Sequence, residues 1–145
     1  MYVNFWYPMA MSDELTDKPL KVRGLGQDFV VFRGEDGKAK CLSNTCTHRG
    51  GSLAGGKIAG NCIQCPYHGW EFDEEGCVQR IPSLGPNPKI PARTRIDAYP
   101  VEERHGLVFA FLGDLPEGKR PPIIDVPEWG QEGWRGTLQT YTIKG

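Results

Sequence analysis

Two short strings in this 145-residue chain put thiols and imidazoles side by side. The first, Cys46-Thr47-His48-Arg49-Gly50-Gly51, holds a Cys-x-His pair. The second, Cys65-Pro66-Tyr67-His68-Gly69-Trp70, holds a Cys-x-x-His pair, and sixteen residues separate His48 from Cys65. With five Cys and three His available, each pair is expected by accident about 0.1 times, and both together about once in a hundred. Thiolates are soft anionic donors and neutral imidazoles are borderline ones, so the two strings together have the makings of a mixed-ligand metal centre.

A [2Fe–2S] cluster has two irons, and in Rieske centres two histidines replace two cysteines on one of them. Two loops that each supply one Cys and one His can clamp such a cluster. Cys46 and Cys65 would then hold the inner iron, and His48 and His68 the outer one. Gly50, Gly51 and Gly69 leave backbone N–H groups free to approach sulfur, and Pro66 stiffens the second loop beside its ligand. A Cys2His2 zinc site uses the same atoms, but finger spacing groups the two Cys together and the two His together. Here each string is mixed, which disfavours zinc and leaves a zinc-structured interaction domain as the remote alternative. A purely structural role would leave His48 and His68 idle in glycine-rich loops.

Three cysteines remain. Cys62-Ile63-Gln64-Cys65 is nominally C-x-x-C, but Cys65 is already committed and no βαβ pattern surrounds it. Cys41, Cys62 and Cys77 fall in apparent strands and read as buried, inert thiols. His105 reads as a solvated turn residue. Trp6, Tyr7, Phe109 and Phe111 read as core. Arg49 is a cation beside the first loop, suited to orienting that loop or meeting a redox partner.

The elements that must position these loops are short strands. Phe29 to Phe32 and Lys38 to Ser43 flank an Asp36-Gly37 turn and predict a hairpin. A second hairpin is expected from Trp70-Glu71-Phe72 and Cys77 to Ile81 around Asp73 to Gly76. A third pairs Ile96 to Val101 with Leu107 to Leu112 around Glu102 to Gly106. The continuous apolar run Leu107 to Leu112 predicts a strand buried on both faces. Helix signals are thin: Ser12 could cap one turn over Ser12-Asp13-Glu14-Leu15. Four prolines between Pro116 and Pro127 predict an extended surface connection. Thr137 to Ile143 then regains strand character.

The composition excludes several functions. Seventeen Lys and Arg against eighteen Asp and Glu give a net charge of −1, with no basic surplus for nucleic acid. No stretch approaches the roughly 20 apolar residues of a membrane span. Nineteen Gly and twelve Pro favour turns over long helices. An odd cysteine count and no basic-then-apolar opening point away from a disulfide framework and a secretory leader, so a cytoplasmic location is expected.

The two ligand strings resemble the N-terminal Rieske domain of ring-hydroxylating, Rieske-type non-haem iron oxygenases. The likeness extends over nearly the whole chain. Asn4-Phe5-Trp6-Tyr7-Pro8 with Ser12-Asp13-Glu14-Leu15 is similar to the family's opening. Phe72 to Gly76 resembles the turn after the second loop, Ile81-Pro82-Ser83 the exit from it, and Tyr99 to Phe109 the closing hairpin. The resemblance implies an all-β Rieske-type iron–sulfur fold, with stacked antiparallel sheets and a cluster-binding subdomain formed by two loops at one tip. It implies a Rieske [2Fe–2S] cofactor held by Cys46, His48, Cys65 and His68, with Arg49, Gly50, Gly51, Tyr67, Gly69 and Trp70 wrapped around it. Respiratory Rieske proteins carry an extra disulfide-paired cysteine in each loop. Gly51 and Tyr67 hold those places here, and Trp70 stands where the respiratory pattern has a hydroxyl residue, so a low-potential centre is expected.

Family members that oxidise substrates hold a second, mononuclear iron with two histidines and a carboxylate in a separate domain. Only His105 is left for that, so this chain cannot build the triad. The expected organisation is a Rieske domain over 1–115, a Pro/Gly-rich connection over 116–136, and over 137–145 a strand that begins an absent catalytic domain. The implied function is electron transfer within an oxygenase that hydroxylates or demethylates an organic substrate. Its expected partners are a reductase or ferredoxin as donor and a mononuclear-iron catalytic domain as acceptor. In the full-length context a homotrimer is expected. The alternative is a free-standing Rieske ferredoxin-like carrier.

Overall fold

The computed structural model describes residues 3–141 and Ile143. Among the described residues, eleven strands form three antiparallel sheets. The first sheet sets β11 (Leu107–Leu112) between β1 (Phe5–Met11) and β10 (Val101–Arg104). The second runs in the order β2 (Leu20–Gly24), β3 (Gln27–Arg33), β4 (Ala39–Ser43), β9 (Ala98–Tyr99). The third is a meander of β5 (Lys57–Ala59), β6 (Cys62–Gln64), β7 (Glu71–Phe72) and β8 (Val78–Arg80). The only helical pieces among the described residues are single 3-10 turns. This is the all-β, stacked antiparallel arrangement the sequence implies.

The middle sheet explains how the layers stack. Strand side chains alternate between faces, and β3 carries apolar residues on both. Phe29 and Val31 pack with Ala10, Val108, Ala110 and Leu112 of the first sheet. Val30 and Phe32 point the other way, into a core with Leu42, Leu53, Ile63, Phe72 and Ile81. All four β3 side chains have no solvent exposure. The second core also contains Cys46 and Cys65, so the ligand loops are rooted in apolar packing. Each buried Phe or Ile there contributes roughly 1.5–3 kcal/mol of transfer free energy.

The first two hairpins form where the sequence predicts them, joining β3 to β4 and β7 to β8. The third differs. Glu102 to Arg104 are strand, and the turn is only His105-Gly106, with φ of 52° and 74°, the pattern of a tight primed hairpin turn. Ile96 to Val101 is not one strand either. Pro100 has no N–H to continue a ladder, so Ala98–Tyr99 pairs with β4 and Val101 onward pairs with β11. Ser12 is the first residue of its turn rather than the cap. Met11 takes that place, and its N–H donates to the Glu14 carboxylate at 2.8 Å.

His105 is not a solvated turn residue. Its side chain is 13% exposed, because residues beyond Pro121 fold back over the hairpin. Its ring meets Trp129 edge-on at 5.8 Å, and Nε2 lies 3.2 Å from the Ile124 carbonyl. Further along, the Trp6 indole N–H donates to the Pro121 carbonyl at 2.8 Å, and Ile123 is buried. In the expected terminal strand, residues 137–141 and Ile143 form no strand among the described residues, and Thr142, Lys144 and Gly145 lie outside them.

Candidate metal centre

Both ligand loops close with the same backbone hydrogen bonds. In the first, the Gly50 N–H donates to the Cys46 carbonyl at 2.8 Å and the Cys46 N–H donates to the Gly51 carbonyl at 2.9 Å. In the second, the Gly69 N–H donates to the Cys65 carbonyl at 3.1 Å and the Cys65 N–H to the Trp70 carbonyl at 2.8 Å. Each turn needs a left-handed residue four places after its cysteine, and Gly50 and Gly69 supply it with φ of 70° and 71°. The histidine sits two places after the first cysteine but three after the second. That offset lets two like-shaped loops, meeting face to face, bring both rings together.

The resulting site has a dry inner half and a wet outer half. Cys46 and Cys65 are 2% and 3% exposed, whereas His48 and His68 are exposed with ring centroids 4.7 Å apart. Trp70 stacks on His48 at 4.6 Å, and Tyr67, 72% exposed, lies over His68 at 6.1 Å. A Cβ on Gly51 would stand 2.6 Å from the Tyr67 ring and 3.4 Å from the Cys65 sulfur, so only glycine lets the second loop close this near. Arg49 is exposed at the rim of the first loop.

The electrostatics follow this geometry. Burial pushes the Cys46 thiol up, the N–H groups of His48 and Arg49 pull it down, and the adjacent Cys65 sulfur pushes it up again. Two buried sulfurs this close favour a shared cation that takes the place of their protons. Partial desolvation by the facing loop, then the neighbouring His68 and Arg49 side chains, lower His48 from the usual imidazole range. The neutral ring is the form that ligates metal. Among the described residues no three His, Cys, Asp or Glu side chains converge on one metal position. The donors instead stand two and two, the number each iron of a [2Fe–2S] cluster needs from protein. Thiols inside, imidazoles outside and backbone N–H groups aimed at sulfur all fit such a cluster.

Several supporting residues were not singled out from the sequence. Asn44, 4% exposed, braces the first loop: its amide N–H donates to Ser52 Oγ at 2.9 Å and its Oδ1 accepts the Ala54 N–H at 2.8 Å. Pro82 backs the second loop, since a Cβ on Gly69 would meet its ring at 3.0 Å. Lys40, 3% exposed, donates to both Asp36 oxygens at 2.8 Å and reaches Glu74 at 3.6 Å. It therefore ties the β3–β4 turn to the β7–β8 turn of the cluster-side sheet. Of the leftover thiols, Cys41 is buried and pushed up to about 12 by that burial, while Cys62 and Cys77 are half-buried.

A loop pair of this kind defines an iron–sulfur protein of the Rieske class. The chain belongs to the Rieske [2Fe-2S] domain family, which it matches over residues 5–100, and its cofactor is a Rieske-type [2Fe–2S] cluster. It is 42% identical over 123 residues to the tert-butanol monooxygenase / tert-amyl alcohol desaturase oxygenase subunit of Aquincola tertiaricarbonis, covering 83% of this chain and 26% of that protein. It is 41% identical to the phenoxybenzoate dioxygenase subunit alpha of Ectopseudomonas oleovorans, covering 89% and 32%. Among solved structures, apo dicamba monooxygenase superposes with a TM-score of 0.73 at 34% identity, covering 82% of this chain and 37% of the other. These relatives are Rieske-type oxygenases, and the chain spans about a quarter to a third of the length of the two named subunits. No helix among the described residues is long and apolar enough to cross a membrane.

Proposed function

We propose that this chain is the electron-transfer part of a Rieske-type oxygenase. Cys46 and Cys65 hold the inner iron and His48 and His68 the outer one. Arg49, Gly50, Gly51, Tyr67, Gly69 and Trp70 form the wall around them. When bound there, the cluster supplies one-electron storage. The carrying observation is the contrast in exposure: buried thiols beneath two exposed rings 4.7 Å apart. The Cys46 and Cys65 loops keep water from the sulfurs, and the His48 and His68 rings give the electron its way in and out. The donor is a reductase or ferredoxin. The acceptor is a mononuclear iron in a catalytic domain outside this chain, which hydroxylates or demethylates an organic substrate, the whole assembling as a homotrimer.

The test is direct. Protein assembled with iron and sulfide should be coloured, with two irons and two sulfides per chain. Cys46→Ser, Cys65→Ser, His48→Ala and His68→Ala should each abolish that absorption, whereas Cys41→Ser should leave it. A colourless protein with stoichiometric zinc sinks the assignment.

A further inference from the structure

The charges of this near-neutral chain are sharply sorted. No Asp or Glu occurs anywhere in residues 37–70 or 76–96, and only four occur in the short run between them. Residues 37–96 therefore carry eight Lys and Arg against four Asp and Glu, leaving nine against fourteen in the rest. The stretch of sequence that bears the ligand loops thus carries a net charge of +4 and the rest of the chain −5.

Strand register sharpens the picture at the tip. Lys57 stands opposite Gln64, one residue before Cys65, and Arg80 stands opposite Glu71, one residue after Trp70. Both are therefore at the ligand-loop end of the third sheet, and both are exposed, as is Arg49. Neither Arg49 nor Lys57 takes part in an ion pair among the described residues. The one acid at that end, Glu71, has a side chain only 15% exposed, and Arg80 and the Gln64 amide both donate to it. The remaining acids, Asp73, Glu74 and Glu75, belong to the turn at the far end of the same strands, where Glu74 reaches Lys40.

We infer that the ring of Arg49, Lys57 and Arg80 around His48 and His68 is the docking surface for an acidic one-electron donor protein, one whose own redox centre is rimmed by carboxylates. The inference rests on the electron-transfer reading above. Solvated cations, of which Arg49 and Lys57 are in no ion pair and Arg80 is held by Glu71, give a diffusing partner orientation and on-rate. A permanent interface would instead deplete Lys and pair its charges. The net negative charge of the rest of the chain offers the same donor no competing site.

The experiment uses the cluster-loaded chain and, as probe, a reduced plant-type [2Fe–2S] ferredoxin of net negative charge, followed by stopped flow. A photoreduced deazaflavin serves as the uncharged comparison. The second-order rate with ferredoxin should fall at least about tenfold between low and high salt, and Lys57→Glu with Arg80→Gln should lower it by a similar factor at low salt. Absorption spectrum, midpoint potential and deazaflavin reduction should stay unchanged. Ferredoxin reduction indifferent to salt and to both substitutions overturns the inference while leaving the electron-transfer reading intact. Ferredoxin reduction unchanged, with only re-oxidation by a catalytic domain slowed, overturns it too and gives these cations to the acceptor. A chain that assembles no cluster fails the earlier reading instead.

Discussion

The imidazole of His48 lies flat against the indole of Trp70, their planes 2° apart and their centroids 4.6 Å apart. One ring belongs to each ligand loop side, so the stack fastens the loops together at their outer edge.

Loss of that stack should loosen the site without removing a donor. Trp70→Ala should still assemble a full complement of iron and sulfide. Its visible absorption should decay in air about two to ten times faster, the factor that about 0.5–1.5 kcal/mol of ring contact gives to local opening. Trp70→Phe should stay close to the parent.

The potential should be low for a Rieske centre. Donors to sulfur stabilise the reduced, more negative cluster; Trp70 brings no hydroxyl to the place where respiratory proteins have one, and Gly51 and Tyr67 leave no disulfide between the loops. A redox titration should place the midpoint in the lower part of the span from roughly −150 to +300 mV; a value above roughly +200 mV contradicts this reading.

Lys40 links the ligand-bearing sheet to the rest of the molecule through Asp36 and Glu74, with its own side chain 2% exposed. Lys40→Met should lower stability by about 1–3 kcal/mol, seen as a lower urea midpoint at unchanged slope. The loss falls short of that for a fully buried pair because Asp36, 28% exposed, can rehydrate.

Acid should release the strap between the first two sheets. Arg33 donates to both Glu103 oxygens at 2.7 and 2.8 Å, and those bonds hold Glu103 below its usual 4.5 against a smaller upward push from burial. A depressed folded pKa gives stability that is full above about 4.5 and vanishes as pH falls through the lower folded value. Glu103→Gln should therefore lower stability by about 1 kcal/mol at neutral pH, since the pair is partly solvated, and by progressively less at acid pH below about 4.5. Urea melts at neutral and acid pH measure it.

The site was legible because its donors are rare residue types at close spacing. Cys46, His48, Cys65 and His68 announce themselves within two strings, and their loop glycines travel with them. The hairpins at Asp36-Gly37 and Asp73 to Gly76 were legible from turn chemistry. Strands β1, β2 and β5 were not, because they are short or lack a clean alternation and are held by neighbours far along the chain. Lys40 lies between two apolar residues in the sequence, and its enclosure by Asp36 and the Glu74 turn depends on the fold. The stack of Trp70 on His48 joins residues 22 apart, which no local pattern reports. His105 was misread for a similar reason, since its cover comes from Ile124 and Trp129.

Strand β3 serves as a party wall between two rooms. Val30 and Phe32 furnish the chamber under the cluster, and Phe29 and Val31 furnish the chamber behind it. A substitution on one side of that wall can retune the redox end while the other side goes on holding the structure up. The two jobs of the domain, gripping a cofactor and staying folded, are thereby written on alternate residues of a single strand.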